Sequence, residues 1–388
     1  MIARIVTSNF SPRTADARVL HVTEACDVGV AETLATYLAA TPHLEHWLVT
    51  AIAPPDVLGR ARLAGILPLP DGHRARLRAV GDIYQQLQPD RVHAHGSQAG
   101  IYVRLNRIIP TRTIVYTPHC YAFERQDVSA ARRVLYAFSE YALASRAATV
   151  AASSRREYHL AARLHRTNRI IHVPYVPPLT DLSVSLVDNP GSLPIAVAIG
   201  PLSPQRDPLY FAQTVASAPN AAHWVWAGEG DKGIRRVLED VGVHVTGSLS
   251  SRKMAELLRT AAVYVHTAAW EDNSSTLLRA AHAGLPVAAR HTRALEALRV
   301  PDLVRSPQDL ATAALRLAVV GPERTDHRTR LLDALQLHSD AATQASRISE
   351  AYKILAPRAM CAQDSAESHQ GIATIPNQSQ PHRSGRHR

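Results

Sequence analysis

The chemistry-bearing residues of this chain gather in a few short runs. The richest is Trp270-Glu-Asp-Asn-Ser-Ser-Thr-Leu-Leu-Arg-Ala-Ala-His-Ala-Gly-Leu-Pro-Val287. Asn273 and Ser274 are good N-cap residues, and Ser275 and Thr276 follow them into a first helical turn. Backbone N–H groups at such a helix start can hold a diphosphate. Glu271, just before them, offers a carboxylate to ligand hydroxyls, and Gly284-Leu-Pro286 closes the helix. A capped helix without a ligand fits the same residues. A second run, Gly228-Glu229-Gly-Asp-Lys-Gly233, has the spacing G-x-G-x-x-G between a strand and a helix, which is the dinucleotide fingerprint. A nicotinamide site adds an acid at the end of the next strand. That strand ends Val245-Thr-Gly-Ser248, so a dehydrogenase is disfavoured. A third run, Asp27-Val-Gly-Val-Ala-Glu32, sets Gly29 at the tight point of a strand-to-helix turn; it is either an anion site or an ordinary turn. His93 and His95 look like a metal pair, but we expect alternation along their strand to set them on opposite faces, with no shared metal. His119, after Thr117-Pro118, reads as a packed side chain.

Repeated elements must carry these runs. Residues 19–25 read as a buried strand and 31–40 as a helix. Strands follow at 47–51, 91–95, 113–117 and 148–152, with helices at 79–87, 99–107, 129–146 and 155–164. Val173-Pro-Tyr-Val-Pro-Pro178 breaks the pattern, because proline ends helices and favours extended chain. A second set has strands at 194–199, 223–227, 243–246, 263–266 and 286–289, with helices between them. Alternation with short connections predicts parallel sheets covered on both faces. We therefore expect α/β architecture with two Rossmann-like, doubly wound parallel-sheet domains. The first spans 1–178, a linker 179–193, the second 194–339, a helix 340–356 and a disordered tail 357–388. Residues 1–17 have no assigned role beyond an arm.

At roughly 100–200 residues per domain, 388 residues agree with two domains. With 46% apolar and 20% charged residues, the chain is neither disordered nor collagen-like. Cys26, Cys120 and Cys361 are too few and too widely spaced for a disulfide framework or a zinc site. The amino terminus lacks the apolar core of a signal peptide, and no apolar run reaches membrane-span length. A soluble cytoplasmic protein is expected. Forty of the 43 cations are arginine, the skew of a GC-rich genome, and the net charge is +10. Residues 1–193 carry 21 cations and 15 acids, whereas 194–340 carry 16 and 15. Within the first half, residues 123–170 hold nine arginines and four acids, interleaved with Tyr136, Phe138, Tyr141 and Tyr158. Such a patch is either a solvated helix face or a surface for anionic lipid or nucleic acid.

The joint pattern resembles the group 1, or family 4, retaining glycosyltransferases of GT-B fold. Trp270–Val287 is similar to that family's E-G-F-(x5)-E-A-M-A-x-G-x-P-V segment in its length, its leading Glu and its G-x-P-V ending. Leu20–Ala25 with Gly29 resembles the first strand and loop; Val92-His-Ala-His95 and Thr117-Pro-His119 resemble acceptor-side strands. Ile199–Pro208 resembles the opening of the donor domain, and Ala227-Gly-Glu-Gly230 is a turn the family carries there. The likeness runs from about residue 19 to 355.

It implies two domains facing a cleft, with the C-terminal helix crossing back to the first. A nucleotide-diphospho-sugar donor would lie mainly on the second domain and a glycan or lipid-linked acceptor on the first, with no metal and no other cofactor. His119 and Glu271 would be catalytic-site residues, His119 near the transferred sugar and Glu271 on its hydroxyls. Gly29, Arg206, Gly228, Glu229, Asn273, Ser274, Ser275, Thr276 and Arg279 would line the donor. The basic first half would then dock on an anionic membrane surface, the inner face of the cytoplasmic membrane, and no nucleic acid is expected. Three positions depart from the family. Pro201 stands where an Arg contacts phosphate, and proline has no N–H to donate. Arg206 replaces a Lys and keeps its charge. Arg279 replaces the second Glu, which holds the ribose. Either Arg279 supplies lost phosphate charge, or catalysis has decayed and the chain is a silent binding partner. An epimerase of the same fold is a lesser alternative. A role in surface polysaccharide or glycolipid synthesis would follow from an active enzyme.

Overall fold

The structure is a computed structural model that describes residues 17–26, 28–55, 58, 63–164, 168–176, 192–336 and 340–353. The expected arm at 1–17 (Ala17 apart), most of the linker at 179–193, the tail at 357–388, and with it Cys361, lie outside the described residues.

Seven strands form the first sheet: β1 Arg18–Thr23, β2 Glu45–Thr50, β3 Gly65–Pro68, β4 Arg91–His95, β5 Ile114–Thr117, β6 Thr149–Ala152 and β7 Arg169–His172. Their order is β3-β2-β1-β4-β5-β6-β7, and every pairing is parallel. The helices between them are α1 Val28–Ala40, α2 His73–Leu87, α3 Ser97–Leu105, α4 Ala130–Ala142 and α5 Arg155–Leu164. The second sheet joins β8 Ile195–Ile199, β9 His223–Ala227, β10 His244–Val245, β11 Val263–His266 and β12 Val287–Ala289 in the order β10-β9-β8-β11-β12, again parallel. Its helices are α6 Pro208–Ala216, α7 Lys232–Asp240, α8 Ser251–Thr260, α9 Ser275–His282, α10 Arg293–Ala297, α11 Pro307–Ala318 and α12 Pro322–Gln336. Last comes α13, Ala341–Ala351.

Burial explains the layers. Ile195-Ala-Val-Ala-Ile199 has its three middle residues buried, as strands covered on both faces require. On one side of the second sheet Trp224, Trp226, Phe211 and Leu310 form a core; on the other Val197, Tyr264, Leu277 and Leu331 do. Each face therefore carries its own core, and the sheet is doubly wound as expected. In the first sheet, Leu20, Val22, Val92 and Tyr116 pack under α2 and α3. The opposite face packs Val19, Tyr37, Val115 and Ala151 with Ile348, Ala351 and Tyr352. Thus α13 returns to the first domain, and Gln344 Nε2 donates to Pro174 O at 2.8 Å.

Two strands were missed by pattern: β3, Gly-Ile-Leu-Pro, and β7, Arg-Ile-Ile-His. Both are edge strands that bury little, so no apolar run marks them. The helix expected at 129–146 ends at Ala142 and continues as a short helical turn at Ala144–Arg146.

One expectation is corrected. His93 and His95 are two residues apart, and strand side chains two apart share a face. Register adds His21 opposite His93, and His46 beside Val19. All four are buried on the face covered by α1 and α13. The His93 and His95 rings lie 3.9 Å apart.

A buried ion pair sits on the other face. Arg104 Nη2 donates to Glu140 Oε2 at 2.9 Å, with side chains 0% and 3% exposed. Tyr116 OH donates to the other carboxylate oxygen at 2.9 Å, and its ring lies 4.0 Å from the guanidinium. Removing one partner strands a buried charge, so Glu140→Ala is expected to cost about 3–5 kcal/mol in a chemical-denaturation midpoint. Exchange of the pair for apolar residues is expected to cost much less.

Candidate functional site

In parallel sheets every strand ends at the same edge, and the loops there carry the polar runs. At the carboxyl end of β11, His266 is buried, and its Nε2 donates to Glu271 Oε1 at 2.6 Å. Arg206 Nη1 lies 3.5 Å from Glu271 Oε2. Burial alone would raise the Glu271 carboxyl, but His266 and Arg206 outweigh it and hold it below the usual Glu value. Glu271 is thus an ionised, acceptor-only carboxylate, 5% exposed. Ser274 caps α9 by accepting from Leu277 N at 3.3 Å. Thr276 Oγ1 accepts from Tyr264 OH at 2.9 Å, and Ser275 shares that first turn. The helix dipole therefore opens beside Glu271 and Arg206.

The run at Gly228 has a bracing role. Gly228 has φ 155°, and a Cβ there would stand 1.9 Å from Gly200 O. Trp226 Nε1 donates to that same carbonyl at 2.9 Å, and Leu202 N to Glu229 O at 2.9 Å. Glu229's residue is exposed, and what it contributes here is its backbone carbonyl. The glycines let two loops touch, and Arg206 lies across Gly200. Its carbonyl accepts from Thr267 Oγ1 at 2.6 Å. Pro201 is exposed next to it.

Asn273 does not cap α9, a correction to the sequence reading. Its Nδ2 donates to Ser153 O at 2.7 Å, across to the first sheet. Beside it, both Asp272 oxygens accept from the Ser153 and Ser154 hydroxyls. Glu157 accepts from Ser153 N at 2.8 Å and Cys120 N at 3.1 Å. Burial pushes Asp272 up to about 6 and, with Asp272 as neighbour, raises Glu157 well above the usual Glu value. A second crossing joins Arg279 Nη2 to Glu32 on α1, and Glu32 Oε2 also accepts from Tyr175 OH at 2.9 Å. The charge of Arg279 is therefore met by Glu32. Gly29 lies in the first turn of α1, with its carbonyl accepting from Thr33 Oγ1 at 2.9 Å. It is helical, not the tight point of a turn, which again corrects the sequence reading.

His119 follows β5 with φ 50°, and Cys120 with φ 76°. Adjacent non-glycine residues in the left-handed region are strained, and such strain gathers at functional sites. The Cys120–Glu157 bond ties this turn to the start of α5. His119 Nε2 lies 3.0 Å from His95 Nδ1. Nitrogens of His21, His93 and His95 all lie within 4.8 Å of one another, close enough to suggest a cation site among the described residues. Yet His93 faces Tyr352 OH at 2.7 Å and Thr117 Oγ1 at 2.8 Å, while His21 and His95 meet at 3.1 Å. Those nitrogens are spent on hydrogen bonds.

So the structure gathers Arg206, Glu271 and Ser274–Thr276 at one edge, with Gly228 and Glu229 as the brace behind. It places Gly29 in the first turn of α1 and His119 on the turn after β5, and ties Asn273 and Arg279 across the seam. His266, Asp272, Glu157 and Glu32 were not singled out by sequence. His266 and Glu157 had a readable signal: a polar residue ending a buried strand, and a Ser-x-x-Glu helix start.

Residues 3–176 match the family described as "Glycosyl transferase 4-like domain", and residues 194–320 match "Glycosyl transferases group 1". No curated protein is a significant sequence match. Among solved structures, HepE from Anabaena in complex with UDP and glucose is similar at 15% identity and a TM-score of 0.67, covering 86% of this chain and 98% of that one. Sucrose-phosphate synthase from Thermosynechococcus elongatus is similar at 16% identity and TM-score 0.67, covering 87% and 98%. S. aureus MnaA with UDP follows at 14% and 0.58, covering 84% and 94%. At such identities the likeness is one of fold.

The buried groups fix the sign of a pH dependence. Burial lowers the pKa of His21, His46, His93 and His95, so below 6.5 the unfolded chain binds protons the folded chain refuses. Their contribution is complete above that pH and is lost as pH falls. Asp272 and Glu157, raised, act oppositely and gain as pH falls. Denaturation midpoints are expected to drop from pH 7 to pH 5, and Asp272→Asn, which removes part of the opposing contribution, is expected to steepen that drop.

Proposed function

Because the chain belongs to the group 1 family of glycosyl transferases and has the GT-B fold, we propose that it moves a sugar from a nucleotide-diphosphate donor to a glycan or lipid-linked acceptor. The reading is carried by one arrangement: the ionised, buried Glu271 beside Arg206 at the start of α9. The α9 N–H groups and Arg206 would take the charge of the departing diphosphate, so that no metal is needed. Glu271, an acceptor only, would bind sugar hydroxyls, and retention of anomeric configuration is part of the proposal. A UDP donor is suggested by the UDP bound in the HepE and MnaA structures.

The acceptor side points to a membrane. On α4, Val134, Leu135, Phe138 and Tyr141 are 69%, 62%, 65% and 66% exposed. They share one face of the helix, with Arg132 exposed and Arg133 half-buried nearby. An apolar face rimmed by arginine suits an anionic lipid surface better than nucleic acid. No helix among the described residues is long and apolar enough to cross a membrane. A role in polysaccharide or glycolipid synthesis fits such docking.

The silent-partner reading keeps one observation in its favour: Arg279 is committed to Glu32 where a ribose contact is expected. Activity of the double variant Pro201→Arg, Arg279→Glu separates the two. Strong gain from an inert parent supports the silent reading, and loss from an active parent excludes it.

Two outcomes are expected. Calorimetry with UDP and other nucleoside diphosphates gives saturable binding, and Glu271→Gln lowers kcat/KM for donor hydrolysis or transfer roughly tenfold to a hundredfold, the worth of a charged hydrogen bond. Absence of binding to any nucleoside diphosphate would sink the enzyme reading. Sedimentation with phosphatidylglycerol vesicles captures the protein, phosphatidylcholine vesicles do not, and Phe138→Asp abolishes capture while leaving donor hydrolysis intact.

A further inference from the structure

Four imidazoles form a single file from the far side of the first sheet to the seam. His46 Nε2 lies 3.1 Å from both Thr41 O and Thr41 Oγ1. His46 Nδ1 lies 3.0 Å from His21 Nε2, His21 Nδ1 lies 3.1 Å from His95 Nε2, and His95 Nδ1 lies 3.0 Å from His119 Nε2. Every link joins an Nδ1 to the Nε2 of the next ring. The file lies along β2, β1, β4 and the turn after β5, and the side-chain period of parallel strands keeps it on one face.

The near end fixes the polarity. A backbone carbonyl only accepts, and the Thr41 hydroxyl hydrogen is given to Tyr37 O at 2.7 Å. His46 must therefore carry its hydrogen on Nε2. A neutral imidazole has one N–H and one lone pair, so His46 Nδ1 accepts and His21 must donate from Nε2. The same step repeats through His21 and His95. His119 then carries its hydrogen on Nε2, pointing inward, and Nδ1 is its basic nitrogen. Burial supports the neutral form by lowering the pKa of His21, His46 and His95. The remaining neighbours, His93, Tyr37 and Tyr352, do not break the file: His93 is bonded to Tyr352 and Thr117, and Tyr37 stacks on His93 at 6.0 Å.

We propose that His46, His21 and His95 are positioning residues that lock His119 in its Nε2–H tautomer, so that His119 meets a ligand hydroxyl as a hydrogen-bond acceptor through Nδ1. The identity of that hydroxyl, on the donor sugar or the acceptor, rests on the glycosyl-transfer reading; the tautomer does not. The file acts over four residues from three strands and a turn, and its control point, Thr41, is remote from the substrate.

The direct test is nitrogen NMR of the full chain carrying 15N-histidine. All four rings are expected to show a protonated Nε2 and a bare Nδ1. A protonated Nδ1 on neutral His119 would overturn the proposal. His46→Asn places an amide oxygen near the former Nδ1 and is expected to keep the His119 signal. His46→Phe removes the acceptor and is expected to divide His119 between both tautomers, with donor binding weakened roughly threefold to tenfold, the worth of one neutral hydrogen bond. An unchanged His119 spectrum in folded His46→Phe would also overturn it; if that variant fails to fold, the wild-type shifts decide alone. A locked His119 in a protein that binds no nucleotide sugar would uphold the lock and reject the glycosyl-transfer reading.

Discussion

The whole site depends on the direction of the strands. Both sheets are parallel throughout, so each delivers all of its strand-to-helix loops at one edge. Asp272 and Asn273 from one edge reach Ser153 and Ser154 at the other, and Arg279 reaches Glu32. A single antiparallel strand inserted in either sheet would send a loop to the wrong end. The clustered polar groups owe their company to topology first and to their own chemistry second.

Charges buried at this seam are tolerable because each has a stated partner. Glu271 has His266 and Arg206; Glu32 has Arg279 and Tyr175; Asp272 has two hydroxyls. An unpaired carboxylate in such a place would cost several kcal/mol or lose its charge. The two crossings differ in kind. Asp272 is held by neutral hydroxyls that do not offset its burial, and its pKa rises, whereas Arg279 and Glu32 form an ion pair. The first is the more sensitive to protonation, the second to loss of either side chain.

Much of the fold was legible because buried parallel strands tend to be apolar runs, as in Ile-Ala-Val-Ala-Ile of β8 and Val-Tyr-Val of β11, whereas β1 and β4 mix apolar residues with buried histidines. Edge strands β3 and β7 bury little and left no pattern. The site was legible where one segment holds several groups, as in 270–276. It was not legible where partners come from distant strands: nothing near Arg279 in sequence announces Glu32, and nothing near Asp272 announces Ser153. The histidines were misjudged through periodicity. Two residues apart means one face, and register then stacks His21, His46, His93 and His95 into a layer. Asn273 was misassigned because capping propensity is local, whereas its actual bond is to the other domain.

The return of α13 bears on how the chain is made. Ile348, Ala351 and Tyr352 complete a core with Val19, Val115 and Ala151, and Tyr352 OH bonds His93. The second domain is thus an insertion between the bulk of the first and its last helix. Domains emerge from the ribosome amino end first. Here the first-made sheet must wait, with one apolar face uncovered, until the second domain has been synthesised and the chain has come back. Its assembly is closed by residues translated after the whole second domain, so a product interrupted before α13 would have the strands of the first domain without the helix that seals them.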